Sequence, residues 1–316
     1  MRIYAPTAVF LALAAAAPAQ KVAILEIGVE NSVTYLFDVA DPAQRAVKPD
    51  PTPPTVNKAF VDSCQIDDIV AVNGKPAKGL HMTCMTRMGF SPSAQTGSGI
   101  ADVSQVGANW ECAWEIYSAE GNFVGRFVDG GFFPHSIKGG AGAYFGATGE
   151  HQSVSGVAAR LASVAEDPAR RRINGGGKYK VIYYVAPKVW PEVASTPAGP
   201  SILHASDFSQ VSTAKPAKAG EMLIMVAKGL GPTLPGLIPQ GAKVFASEAP
   251  LDEVNSPVEV TVNGEAAAVT NKVGWPGTKD TYRVDFQVPP GTAAGMARVQ
   301  MTAAWIPADE VAIPVQ

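Results

Sequence analysis

Residues 109–130, N-W-E-C-A-W-E-I-Y-S-A-E-G-N-F-V-G-R-F-V-D-G, and residues 138–149, K-G-G-A-G-A-Y-F-G-A-T-G, decide the fold. The first stretch reads as two strands around the turn Glu120-Gly121-Asn122. Side chains alternate across a strand, so Trp110, Cys112, Trp114 and Ile116 share one face. Glu111, Ala113, Glu115 and Tyr117 share the other. The apolar face is expected inward, and on the second strand Phe123, Phe127 and Asp129 are expected to join it. In the second stretch the glycines permit positive φ and close backbone approach where a strand turns sharply.

Outward from there, strand signals recur at short intervals. Residues 21–40 read as strand, Asn-Ser turn, strand. Residues 41–56 are a proline-rich loop, since each proline removes a ladder donor. Further strands are predicted at Ile69–Val72, after which Asn73-Gly74 turns, then at Leu80–Met88 and Lys178–Val185. On Leu80–Met88 the faces predict Met82, Cys84, Thr86 and Met88 inward, with His81 and Arg87 outward. On the last strand Tyr179, Val181, Tyr183 and Val185 are predicted inward. Val154–Glu166 is the one stretch with helical character, stopped by Asp167-Pro168. Arg170, Arg171 and Arg172 then precede three glycines, which reads as a solvated loop or an anion site.

After a Pro/Ala-rich linker at 186–200 the rhythm changes. Strands are predicted at Glu221–Lys228, Val244–Ser247, Val258–Val262, Ala266–Val273, Tyr282–Val288, Ala297–Trp305 and Glu310–Val315. Asn263-Gly264 between alternating Val/Thr runs is a strong hairpin signal. About seven short strands with Gly/Pro turns suggest an immunoglobulin-like sandwich over 201–316.

The chain's 316 residues accommodate two domains at ~150 residues each. Hydrophobic residues make up 47% and charged residues 17%, enough to build real cores. Arg2, the apolar run Val9–Ala17 and the small-x-small site Ala17-Pro18-Ala19 form the pattern of a secretory signal peptide over 1–19, cleaved before Gln20. The apolar run is too short to span a bilayer, and no membrane span is expected elsewhere. The expected location is secreted, periplasmic or cell-surface. The formal net charge of -3 argues against nucleic-acid binding.

The three cysteines, Cys64, Cys84 and Cys112, predict one disulfide and one free thiol in an oxidising compartment. The favoured pairing is Cys84–Cys112, opposite each other if strands 80–88 and 110–117 pair antiparallel, with Cys64 free. Cys64–Cys84 pairs if the Asn73-Gly74 hairpin brings 64 opposite 84. Their spacing carries no C-x-x-C or H-x-x-x-H motif, so no metal and no cofactor are expected. His81, His135, His151 and His204 are scattered and read as surface or loop residues. No G-x-S-x-G elbow occurs.

The motif G-G-x-G-x-[YF]-x-G-A-x-G at Gly139, Gly140, Gly142, Gly146 and Gly149, with the aromatic strand pair before it, resembles the barrel shared by allene oxide cyclases and plant dirigent proteins. The second half resembles an immunoglobulin-like domain recurrent at the C-terminus of secreted bacterial proteins. The residues carrying this are 220–232 (G-E-M-L-I-M-V-A-K-G-L-G-P), 258–267 (V-E-V-T-V-N-G-E-A-A) and 282–295 (Y-R-V-D-F-Q-V-P-P-G-T-A-A-G). The architecture expected is all-β: an antiparallel barrel over 20–185 followed by the sandwich.

The barrel interior is the expected site, lined by Met82, Met88, Trp110, Trp114, Phe127, Asp129, Tyr179 and Tyr183. Such an interior is either filled by its own side chains or holds a small hydrophobic ligand. The favoured function is a non-enzymatic binding or surface protein, with an extracellular partner for the sandwich. The alternative implied by the resemblance is cofactor-free cyclisation or isomerisation, or dirigent-type control of a hydrophobic intermediate. No catalytic residue carries over.

Overall fold

The structure is a computed structural model describing residues 21–36, 58–89, 107–131, 135–163, 165–234 and 244–316. The expected signal peptide and the proline-rich loop lie outside these residues.

The first half is a closed barrel. Its strands are β1 (Ala23–Leu36), β2 (Lys58–Val72), β3 (Lys75–Gly89), β4 (Gly107–Tyr117), β5 (Phe123–Gly131), β6 (Ser136–Gly142), β7 (Thr148–Val157), β8 (Arg160–Ser163) and β9 (Gly177–Ala186). Eight pair antiparallel in the order β2-β3-β4-β5-β6-β7-β9-β1, and β1 returns to β2. Closure removes the free edges that would template aggregation. β8 adds in parallel to Val33–Leu36 of β1.

Val154–Glu166 does not form the expected helix. Its residues complete β7, in register with β9, and form β8 on β1. Serine and β-branched valine are weak helix formers, and the ladder to two neighbouring strands takes the backbone donors. The arginine run forms a 3-10 turn, Pro168–Arg170, and a single turn α1 (Arg171–Asn174). Most of the run is exposed to solvent, as the loop reading expects, but two of its arginines are already paired with a carboxylate of the protein. Buried Arg171 pairs with Asp68, and Arg172 Nε donates to the same carboxylate at 2.7 Å.

The second half is all β as expected. Its strands are β10 (Glu192–Val193), β11 (Ser195–Thr196), β12 (Gly199–Pro200), β13 (Ile202–His204), β14 (Met222–Lys228), β15 (Thr233–Leu234), β16 (Glu253–Val254), β17 (Val258–Val262), β18 (Glu265–Gly274), β19 (Tyr282–Gln287), β20 (Gly295–Ala303), β21 (Ile306–Pro307) and β22 (Val311–Val315). All but β11 and β12 belong to one nearly closed sheet. Asn263 and Gly264 turn between β17 and β18 with positive φ at both, as the hairpin signal predicts. Val244–Ser247 is not a strand; Phe245 and Ala246 instead bond to the Thr278 carbonyl and the Asp252 carboxylate. Within 186–200, β10 pairs with β14, and β11 forms a small hairpin with β12.

The two halves share a core. The turn from β20 to β21 carries Ala304 and Trp305, both at positive φ. It inserts Trp305 and Ile306 among the buried residues of the barrel. Tyr144, from the glycine-rich turn after β6, is fully buried and donates to the Ala304 carbonyl at 3.3 Å.

Candidate functional site

The barrel interior is built from alternating residues of its strands. Trp114, Phe127, Tyr144 and Tyr183 are buried and pack ring against ring, with centroids 5.0–6.1 Å apart. Leu25, Ile27 and Ile116 fill the remaining apolar wall. Edge-to-face packing of this kind adds to the stabilisation from burial.

Two buried aspartates anchor polar networks among these rings. Asp67 pairs with His81 and accepts from Tyr179 OH at 2.8 Å and Gln65 Nε2 at 3.1 Å. Burial alone would push the Asp67 carboxyl up; the His81 hydrogen bond and charge, with Gln65, hold it below its ordinary value. The same neighbourhood, burial first and then Asp67, drives the Tyr179 phenol far up. Asp129 accepts from Trp114 Nε1 at 3.1 Å and from Tyr183 OH at 2.9 Å. The His81 ring stacks on Trp114 at 3.7 Å between centroids, joining the two networks.

Around Asp129 lie Cys112, His135 and His151. Cys112 Sγ donates to Thr83 Oγ1 at 3.0 Å and lies 3.9 Å from His135 Nδ1. His135 Nδ1 is 3.6 Å from Asp129 Oδ2. Burial, then the Asp129 carboxylate, pushes the Cys112 thiol up to about 12. Burial, then His135, holds His151 below its ordinary value.

Of the residues expected to line the interior, Trp114, Phe127, Asp129, Tyr179 and Tyr183 do meet there, with Trp110 half-buried at the margin. Met82 does not; it is 47% exposed. The Met88 side chain lies outside what the structure describes. The reason is a one-residue error of face on β3. His81 and Thr83 lie opposite Trp114 and Cys112 and are the inward residues. Two polar side chains are accepted inside because Asp67 and Cys112 bond them, a compensation that hydrophobic alternation does not reveal.

The same error overturns the Cys84–Cys112 disulfide. Cys84 lies opposite Glu111, while Cys64 lies opposite Cys84 and is bonded to it. Cys112 is the free, buried thiol. The histidines also depart from expectation: His81, His151 and His204 are buried and His135 is largely so. The Cys64–Cys84 pair follows the Asn73-Gly74 hairpin, while the burial of the histidines had no local motif.

No family model matches the chain, and no curated protein matches it. Among solved structures, the N-terminal domain of the Streptococcus gordonii adhesin Sgo0707 aligns with 95% of this chain and 93% of that chain. The identity is 9% and the TM-score 0.17, at which no common fold follows.

Proposed function

We propose that this is an exported, non-enzymatic binding or surface protein that recognises its partner through outer surfaces. The observation that carries the reading is the cluster of four rings packed against one another inside the barrel. A cyclase or dirigent-type barrel needs an enclosed apolar chamber of several hundred Å³ for its substrate. Here Trp114, Phe127, Tyr144 and Tyr183 pack ring against ring between the strands, and the Asp67 and Asp129 carboxylates already receive donors from the protein itself.

Apolar surface lies on the outside of the wall instead. Met82, Ala113 and Val128 are adjacent in register across β3, β4 and β5, and all are exposed. A second apolar feature is a groove of about 760 Å³ across β7, β9, β1 and β2. Gly28 forms part of its lining, flanked by Val70, Val157 and the stems of Lys178 and Lys180. It suits a small hydrophobic ligand or an apolar side chain of a partner. The resemblance of the second half to accessory domains of secreted bacterial proteins supports the same reading.

Native mass spectrometry of protein purified from its own host tests this. The expected result is a chain beginning at Gln20, in the exported fraction, with no organic molecule trapped in the barrel. A hydrophobic molecule that co-purifies and is converted to a new product by the protein would overturn the reading.

A further inference from the structure

Three strands and the residue just before a fourth bring four metal-ligating side chains together in the barrel. Cys112 on β4 lies directly opposite Asp129 on β5. His135 immediately precedes β6, and its carbonyl accepts the backbone N–H of His151 on β7 at 3.0 Å. The His135 and His151 rings are 5.7 Å apart. Among the described residues, one ligand atom each from Cys112, Asp129 and His135 lie within 4.8 Å of one another.

The spacing fits a cation. Zinc holds sulfur at ~2.3 Å and nitrogen or oxygen at ~2.0–2.2 Å in a tetrahedron, which sets ligand atoms ~3.3–3.6 Å apart. The observed separations are 3.9 Å from sulfur to nitrogen and 3.6 Å from nitrogen to oxygen. Those two pairs need to close by only a few tenths of an ångström, and the sulfur and the carboxylate oxygen lie within the same 4.8 Å. The ligands are also held from behind, as working metal ligands are. Trp114 and Tyr183 fix the Asp129 carboxylate, and Thr83 fixes the Cys112 sulfur. A thiol and an imidazole with one carboxylate select a borderline transition metal over calcium or magnesium, which prefer oxygen alone.

We propose that Cys112, Asp129 and His135 bind one divalent cation of the zinc class, with His151 beside the fourth position. Binding displaces the Cys112 proton to solvent and leaves a thiolate on the metal. The Cys64–Cys84 disulfide takes no part and stays intact.

Cobalt(II) is the probe, because its bond to a thiolate gives a charge-transfer absorption in the near ultraviolet that water, carboxylate and imidazole do not. The full exported chain is treated with chelator, kept free of reductant and titrated with Co²⁺. The expected result is a sulfur-to-cobalt band saturating at one equivalent, displaced by one equivalent of Zn²⁺. The band should be absent in Cys112→Ser, and His135→Gln should bind at least tenfold more weakly, with unchanged far-ultraviolet circular dichroism in both. The wild-type titration stands even where a variant fails to fold. No sulfur band in the wild-type chain, or a band that survives in Cys112→Ser, overturns the site.

Discussion

Cys64 on β2 and Cys84 on β3 stand directly opposite each other and are joined by a disulfide, which leaves Cys112 as a buried thiol bonded to Thr83. Peptide mapping without reduction should therefore recover a 64–84 linked pair. Cys112 should react with thiol reagents only after denaturant is added. The bridge closes a loop of 20 residues, so reducing it should cost about 3 kcal/mol, chiefly by freeing the unfolded chain. Fast labelling of Cys112 in the folded protein would contradict its placement.

The glycine-rich motif should be intolerant at particular positions. A Cβ on Gly149, whose φ is +144°, would sit 1.9 Å from the Tyr184 carbonyl oxygen. On Gly142, at φ +65°, it would sit 2.6 Å from the Val124 carbonyl oxygen. Backbone cannot yield as a side chain can, so Gly149→Ala and Gly142→Ala should each cost about 2–3 kcal/mol. Gly264, at φ +83° in the β17–β18 turn, faces open space, so Gly264→Ala should cost only about 1 kcal/mol. Equal losses of melting temperature at all three would refute the close-approach argument.

These positions also mark how far the sequence could be read. Trp110–Ile116 and Tyr179–Val185 alternate cleanly, and their inward faces are as expected, because hydrophobicity alone sorts them. The β3 strand misleads because its inward residues, His81 and Thr83, are polar and its methionine at 82 faces out. That face is stable because Asp67 and Cys112 bond these two side chains. The Cys112–Asp129–His135 cluster was illegible for the same reason: strand register, not spacing along the chain, brings its members together.

Acid should destabilise the protein in two stages. The folded pKa of His151 lies below its ordinary 6.5, so the unfolded state binds that proton first. Stability is then full above 6.5 and falls as the pH drops below it. Asp67 and Asp68 are likewise held below 3.8, Asp68 through Arg172, Asn31 and Arg171 against the effect of burial. Their contribution is full above 3.8 and lost as the pH falls through the depressed values. Melting temperatures measured in chelator should decline from about pH 6.5 to 5 and decline again below about pH 4. His151→Gln should flatten the first decline only. A wild-type melting temperature that is flat between about pH 7 and 5 would remove the His151 argument.

The last prediction concerns the contact between the two halves. Ala304 and Trp305 both hold left-handed φ, at 51° and 62°, which costs non-glycine residues energy that must be offset elsewhere. The offset is burial: Trp305 is 5% exposed and Ile306 1%, and both pack with barrel residues rather than with the core of their own sheet. Tyr144 meets the same turn from the barrel side, hydrogen-bonded to Ala304 and edge-on to Phe127. Trp305→Ala removes a large buried side chain from the barrel core while changing a residue of the second half. It should lower the stability of the barrel by about 3 kcal/mol. Barrel unfolding can be followed through hydrogen exchange of β4 and β9 amides, which report on the first half alone. If those amides exchange as in the wild type while only second-half amides are affected, Trp305 stabilises its own turn and does not couple the halves.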